Sequence, residues 1–135
     1  MADVFAGKWV LKGAENMDAY LKQEGVGLVM RKLATSVYPT VEITITGNHW
    51  KIVTSSTVKT IVVEFDLGVE FDEVTPDGRK LKNTPTLEDG RLVEVKHGEK
   101  IKNIRVERYV EGNKLIMILN CDGVVAKRIH ERVPN

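Results

Sequence analysis

The sequence predicts an all-β fold of roughly ten short strands in up-and-down order, with a pair of short helices inserted after the first strand. Three observations carry that reading. Beyond Pro39, apolar residues alternate with polar ones at a period of two, the repeat of a half-buried strand. Turn-forming pairs recur at short intervals through the same region. The stretches with helical spacing lie together, within about residues 15–37. Short regular strands joined by tight turns suit a sandwich or a closed barrel. A helix pair after the first strand is unusual in a plain sandwich and suits a lid over an open barrel end.

The elements follow in order. A first strand is expected around Phe5–Lys12. Glu15 to Lys22 then places Met17, Tyr20 and Leu21 at the i, i+3, i+4 spacing of one helix face, and Gly25-Val26-Gly27 punctuates it. A second helical run from Leu28 to about Val37 carries Leu28, Val29, Leu33 and Val37, and Pro39 stops it. Val41, Ile43 and Ile45 alternate with Glu42, Thr44 and Thr46; Ile61, Val63 and Phe65 do the same against Thr60 and Glu64. Turns are expected at Gly47-Asn48, Leu67-Gly68, Pro76-Asp77-Gly78, Asp89-Gly90, His97-Gly98, Gly112-Asn113 and Asp122-Gly123.

A chain of 135 residues fits one domain, 1–135, with enough length for a core that needs no staples. Twenty Lys and Arg against nineteen Asp and Glu give a net charge of +1, which argues against a nucleic-acid reader. The single cysteine, Cys121, cannot close an internal disulfide or build a cysteine zinc cage; beside Asp122 it is expected to be structural rather than a reactive thiol. His49, His97 and His130 have no metal-ligand spacing, and no hydrolase elbow, zinc-protease motif or phosphate loop is present. Asp3 and Lys8 interrupt the start, and no uncharged run approaches the ~20 residues of a membrane span, so an intracellular domain is expected; the single cysteine fits a reducing cytosol, and the near-neutral charge and unbroken barrel pattern favour a monomer.

Two segments do not fit a plain core. Over 104–111, Arg105, Glu107, Tyr109 and Glu111 form a wet face, while Ile104, Val106 and Val110 share the other with Arg108. Over 124–131, Val124, Ala126, Arg128 and His130 share one face. Turned inward, these faces would put two guanidiniums and an imidazole inside the barrel. An interior Arg cannot shed its charge and needs water, an internal carboxylate or a bound anion. The pattern leaves open whether each Arg serves an anion, pairs with an Asp or Glu, or leans out at the rim.

Phe5-x-Gly7-x-Trp9, Glu15-Asn16-Met17-Asp18 and Gly25-Val26-Gly27 resemble the amino-terminal signature of the intracellular lipid-binding proteins. The match continues through Thr57-Val58-Lys59-Thr60, Phe65-x-Leu67-Gly68-x-Glu70-Phe71-Asp72-Glu73 and Asp77-Gly78-Arg79-Lys80, and closes with Val124-Val125-x-x-Arg128-Ile129. The subfamily most resembled is the cytosolic fatty acid-binding proteins. The resemblance implies a ten-stranded antiparallel up-and-down β-barrel of the lipocalin-like, calycin type, with a helix-turn-helix lid, a water-containing cavity, no catalysis and no cofactor. It implies reversible carriage of a long-chain fatty acid whose carboxylate meets Arg108 and Arg128, with His130 standing where the family has a tyrosine. The implied cavity and portal residues are Met17, Tyr20, Met30, Thr54, Val58 and Asp77. Lys22, Arg31 and Lys32 match basic lid positions used by some relatives for contact with anionic membranes or for nuclear entry, so the expected location is the cytoplasm and also the nucleus. A retinoic acid carrier is the alternative; the spacing from Leu33 to Pro39 is that of the fatty acid group, and Arg108 stands where retinol carriers have Gln.

Overall fold

The computed structural model describes residues 2–99 and 101–134. Met1 and Asn135, the ends of the expected domain, and Lys100, beyond the expected turn at His97-Gly98, lie outside the described residues. The elements are a 3-10 turn Ala2–Phe5, strand β1 Gly7–Glu15, helices α1 Met17–Glu24 and α2 Leu28–Ser36, then β2 Thr40–Thr46, β3 His49–Ser55, β4 Thr60–Asp66, β5 Phe71–Val74, β6 Lys80–Glu88, β7 Arg91–Gly98, β8 Ile101–Glu111, β9 Lys114–Cys121 and β10 Val124–Arg132. The strands make one sheet of order β4-β3-β2-β1-β10-β9-β8-β7-β6-β5. Because β1 pairs with β10, the free edges belong to β4 and β5, which are neighbours in sequence. A twisted sheet joined in this way curls into a nearly closed barrel, which decides between barrel and sandwich.

The first strand differs from expectation at both ends. Phe5 belongs to the 3-10 turn, where its carbonyl accepts the Trp9 indole N–H at 2.9 Å. The strand begins at Gly7 and runs past Lys12 to Glu15, because a bulge absorbs the break in alternation. Leu11 pairs with His130 and Gly13 with Ile129, so Lys12 is the extra residue. Gly7 has φ +122°, and a Cβ there would lie 2.8 Å from Arg132 Nη1. The Arg132 guanidinium stacks over Trp9 and donates to the carbonyls of Val4 and Ala6, closing the chain's two ends on each other.

The helices also shift. Glu15 ends the strand, and Asn16 turns the chain in the left-handed region at φ 60° while its amide donates to the Val125 carbonyl at 2.8 Å. The α1 chain stops at Gly25, φ 101°, whose N–H and that of Val26 return to the last turn. In α2 the face towards the barrel is Met30, Leu33, Ala34 and Val37, at i, i+3, i+4, i+7, rather than the face containing Leu28 and Val29. Leu28 and Val29 are 56% and 79% exposed. Arg31 joins the two helices, donating to the Asp18 carboxylate and the Val26 carbonyl.

The turns at Asp89-Gly90 and Asp122-Gly123 have positive φ at both residues, the backbone that matches strand twist in a two-residue hairpin. Two apolar clusters fill the barrel. One gathers Phe5, Trp9, Trp50, Phe65, Leu92 and Leu115, with the Phe5, Trp50, Phe65 and Phe71 rings in sequential contact. The other packs Met17 and Tyr20 of α1 on Leu81, Ile104, Val106, Leu119, Cys121 and Ala126.

Candidate functional site

Residues opposite each other on an antiparallel ladder point to the same face. Arg108 pairs with Met117, and Met117 with Arg128. The two arginines therefore share one inward row, two strand spacings or about 10 Å apart at the backbone. Their neighbours obey the predicted alternation: Ile104, Val106, Ala126 and His130 are buried, while Arg105 and Val125 are exposed. His130 lies one row further along, opposite Leu115.

The arginines have different surroundings. Arg108 is in contact with the Glu94 carboxylate through Nη1. Glu94 also accepts from the Asn83 amide at 2.7 Å and lies 3.8 Å from Lys96 Nζ. Burial alone would raise the Glu94 pKa, but Arg108, then Lys96 and the donated hydrogen bonds outweigh it and hold it at about 2. The network extends to Glu73, which accepts from Asn83 at 2.9 Å and from Lys96 at 3.3 Å. Arg128, by contrast, has no hydrogen-bond or carboxylate partner among the described residues, and its Nε is shielded from solvent. Burial lowers its pKa, and the like charge of Arg108 lowers it further. An unmatched guanidinium in an enclosed place is poised to accept an anion.

His130 is 2% exposed and its Nδ1 lies 3.3 Å from the Leu115 carbonyl. A carbonyl can only accept, so Nδ1 carries the proton and Nε2 of the neutral ring is an acceptor. Burial brings the pKa down to about 4, aided by the charges of Arg128 and Arg108 against the opposing Leu115 hydrogen bond. At neutral pH the ring is uncharged, and its one donor is engaged with the backbone.

Two pockets share Arg128. One of about 170 Å³ opens between α2 and the β3–β4 hairpin, with Met30, Leu33, Thr54, Val58, Ile61 and Arg128 among its lining residues. A second, about 140 Å³, brings Met17, Ala34 and Val37 against Arg128 from the lid side. Met17, Met30, Thr54 and Val58 thus line pockets that share one arginine. Asp77 borders an adjoining pocket of about 80 Å³ that also contains Met30. Its carboxylate accepts from Thr75 Oγ1 and from Arg79 at 2.9 Å, and Arg79 reaches over to the Glu24 carbonyl and carboxylate, both at 2.8 Å. Asp77 therefore serves a latch between the 75–79 turn and the end of α1. Tyr20 lines none of these pockets; it packs in the core, its hydroxyl pKa raised by burial and then by Glu24. A larger hollow, about 720 Å³, lies elsewhere, over β5, β6 and the end of β7, and is rimmed by charged side chains including Asp72, Lys80 and Lys82.

Glu94 and Asn83 escaped the sequence reading. Their signal was a carboxylate and an amide interrupting the inward apolar sets Leu92/Glu94 and Leu81/Asn83/Pro85, but only the ladder register shows that they meet Arg108. Of the basic lid residues, Lys22 and Lys32 are exposed whereas Arg31 is committed to Asp18 and Val26. No described helix is long and apolar enough to cross a membrane.

The model of the lipocalin / cytosolic fatty-acid binding protein family matches residues 6–133. Fatty acid-binding protein homolog 5 of Caenorhabditis elegans is 45% identical over 135 residues, covering 97% of this chain and 98% of the relative. The solved structure of the REP1-NXSQ fatty acid transporter superposes with a TM-score of 0.93 at 44% identity, over 100% of this chain and 99% of that one. A Schistosoma mansoni fatty acid binding protein in complex with arachidonic acid gives a TM-score of 0.91 at 31% identity, with 96% of each chain covered.

Proposed function

Because the chain belongs to the lipocalin / cytosolic fatty-acid binding protein family, we propose that it is a reversible carrier of long-chain fatty acids in the cytosol, a single domain over residues 1–135 and not an enzyme. The observation that carries this reading is Arg128, a mostly buried guanidinium without a hydrogen-bond or carboxylate partner among the described residues, on the wall of a largely apolar pocket that opens to the surface. In this proposal the carboxylate is held from the Arg108–Arg128 row, with Arg128 as the direct contact and His130 bordering the head group. The chain runs outward past Thr54, Met30 and Val58, and Met17 bounds it from the lid. The same reading takes the protein as a monomer, with Lys22 and Lys32 available for passing contact with anionic membranes.

The magnitudes support a carrier. About fifteen methylene-type groups at roughly 0.8 kcal/mol each give about 12 kcal/mol of burial. Ordering the chain and losing its free motion offset several kcal/mol. A remainder near 8–10 kcal/mol corresponds to submicromolar binding. The tail supplies affinity and the arginine row supplies orientation.

The test is displacement of a fluorescent fatty-acid-like probe from delipidated protein by oleate and by all-trans retinoic acid. Displacement by oleate at submicromolar concentration, with retinoic acid much weaker, is the expected result. The reverse order moves the chain to the retinoid branch, and failure to bind any of the three ends the carrier reading.

A further inference from the structure

Glu94 is a buried carboxylate inside a barrel whose proposed ligand is itself an anion, and its cost there requires an explanation. The register supplies one. Leu92 is opposite Arg108 and Glu94 is opposite Val106, so Glu94 sits diagonally beside Arg108 on the inner face, within reach of its guanidinium. The contact is made, and Asn83 locks the other carboxylate oxygen by donating to it. Asn83 donates its remaining amide hydrogen to Glu73, so its orientation is set by two carboxylates, leaving the carbonyl oxygen without a partner.

The charges of this interior can be assigned group by group. Arg108, Arg128 and Lys96 are positive; Glu94 and Glu73 are negative; His130, with its pKa near 4, is neutral at pH 7. One positive charge is left over, and it sits on Arg128, the group without a hydrogen-bond or carboxylate partner among the described residues. A ligand with a single negative charge brings this enclosed set to neutrality. A neutral ligand leaves Arg128 unmatched, and a dianion carries one negative charge too many into a low-dielectric space where such excess is costly.

We propose that Glu94 is a specificity-determining residue: by engaging Arg108 it reduces the cavity's uncommitted charge to the single guanidinium of Arg128, so that the site selects monoanionic amphiphiles and rejects those with a dianionic head. Without Glu94 the same walls would present two adjacent guanidiniums, a pair suited to a phosphate monoester. Glu94 touches Arg108 and not the ligand, and sets selectivity through that contact. The inference rests on the fatty acid reading, and its test separates the two.

The experiment is calorimetric titration of delipidated wild type, Glu94→Gln and Glu94→Gln/Arg108→Gln with oleate and with oleyl phosphate near pH 8, where a phosphate monoester (second pKa about 6) is close to a dianion. Wild type is expected to bind oleate at least tenfold more tightly than oleyl phosphate. Glu94→Gln should reduce that ratio fivefold or more, by gaining affinity for the phosphate. The double variant removes the second guanidinium together with its carboxylate and should return the ratio to within threefold of wild type. A smaller change of ratio in Glu94→Gln overturns the proposal, and so does a double variant that keeps the relaxed ratio, which would mean that the freed Arg108 is not what admits the phosphate. If Glu94→Gln does not fold, the double variant carries the test alone. Wild type that binds oleate without discriminating against oleyl phosphate overturns the role of Glu94 and leaves the fatty acid reading standing. Wild type that binds neither ligand refutes the fatty acid reading itself.

Discussion

Replacing Arg128 by Ala should separate the head-group contribution from that of the tail. The guanidinium has no hydrogen-bond or carboxylate partner among the described residues, lines the portal pocket and feels the like charge of Arg108. Charge-assisted hydrogen bonds to a carboxylate in such a place contribute about 1.5–3 kcal/mol, and a bidentate contact falls towards the upper end. A loss of about 2–3 kcal/mol corresponds to roughly 30- to 150-fold in affinity. An alcohol of matching chain length, lacking the charge, loses only the packing of the arginine stem, which the acid loses as well. The assay is therefore paired: oleate and oleyl alcohol titrated into wild type and Arg128→Ala, with the ratio of the two losses as the readout. The free protein supplies a second sign. Removing an unmatched buried cation beside another should stabilise the apo form, and each 1 kcal/mol appears as roughly 3–5 °C in Tm for a chain of this size. Equal losses for acid and alcohol refute the assignment of the head group to Arg128.

Two further outcomes follow from the geometry. His130 has a folded pKa near 4 against an ordinary value of 6.5. Between those values the unfolded chain binds a proton that the native ring refuses, so stability should fall as pH drops from about 6.5 to about 4, by up to about 3 kcal/mol, and then level off for this group. Urea unfolding across that range should show the slope in wild type and a flatter one in His130→Asn; an unchanged slope contradicts the burial argument. Arg79→Ala should open the latch from Asp77 to the Glu24 carbonyl and carboxylate. Stopped-flow release of a bound fluorescent fatty acid should quicken several-fold with little change in global stability, since part-exposed ion pairs contribute about 1 kcal/mol or less. Unchanged release would show that the portal opens elsewhere.

What the residues alone determined is the set of inward faces. Period-two alternation over 41–45, 61–65, 104–111 and 124–131 names the buried side of each strand because successive side chains point to opposite faces whatever the strand pairs with. Tight turns at Asp89-Gly90 and Asp122-Gly123 are equally local, since positive φ is a property of those residues and their backbone. So was the placing of Arg108 and Arg128 on apolar faces. The bulge at Lys12 and the exposure of Leu28 and Val29 were not legible, because each depends on a partner element: β10 for the register of β1, and the portal rim for the face of α2. The two arginines differ for the same reason. Both look alike along their own strands, yet Arg108 meets Glu94 from β7 and Arg128 meets no carboxylate among the described residues. The charge left inside the barrel depends on which strands lie side by side and in what register, and long-range pairing is the quantity that local alternation does not encode.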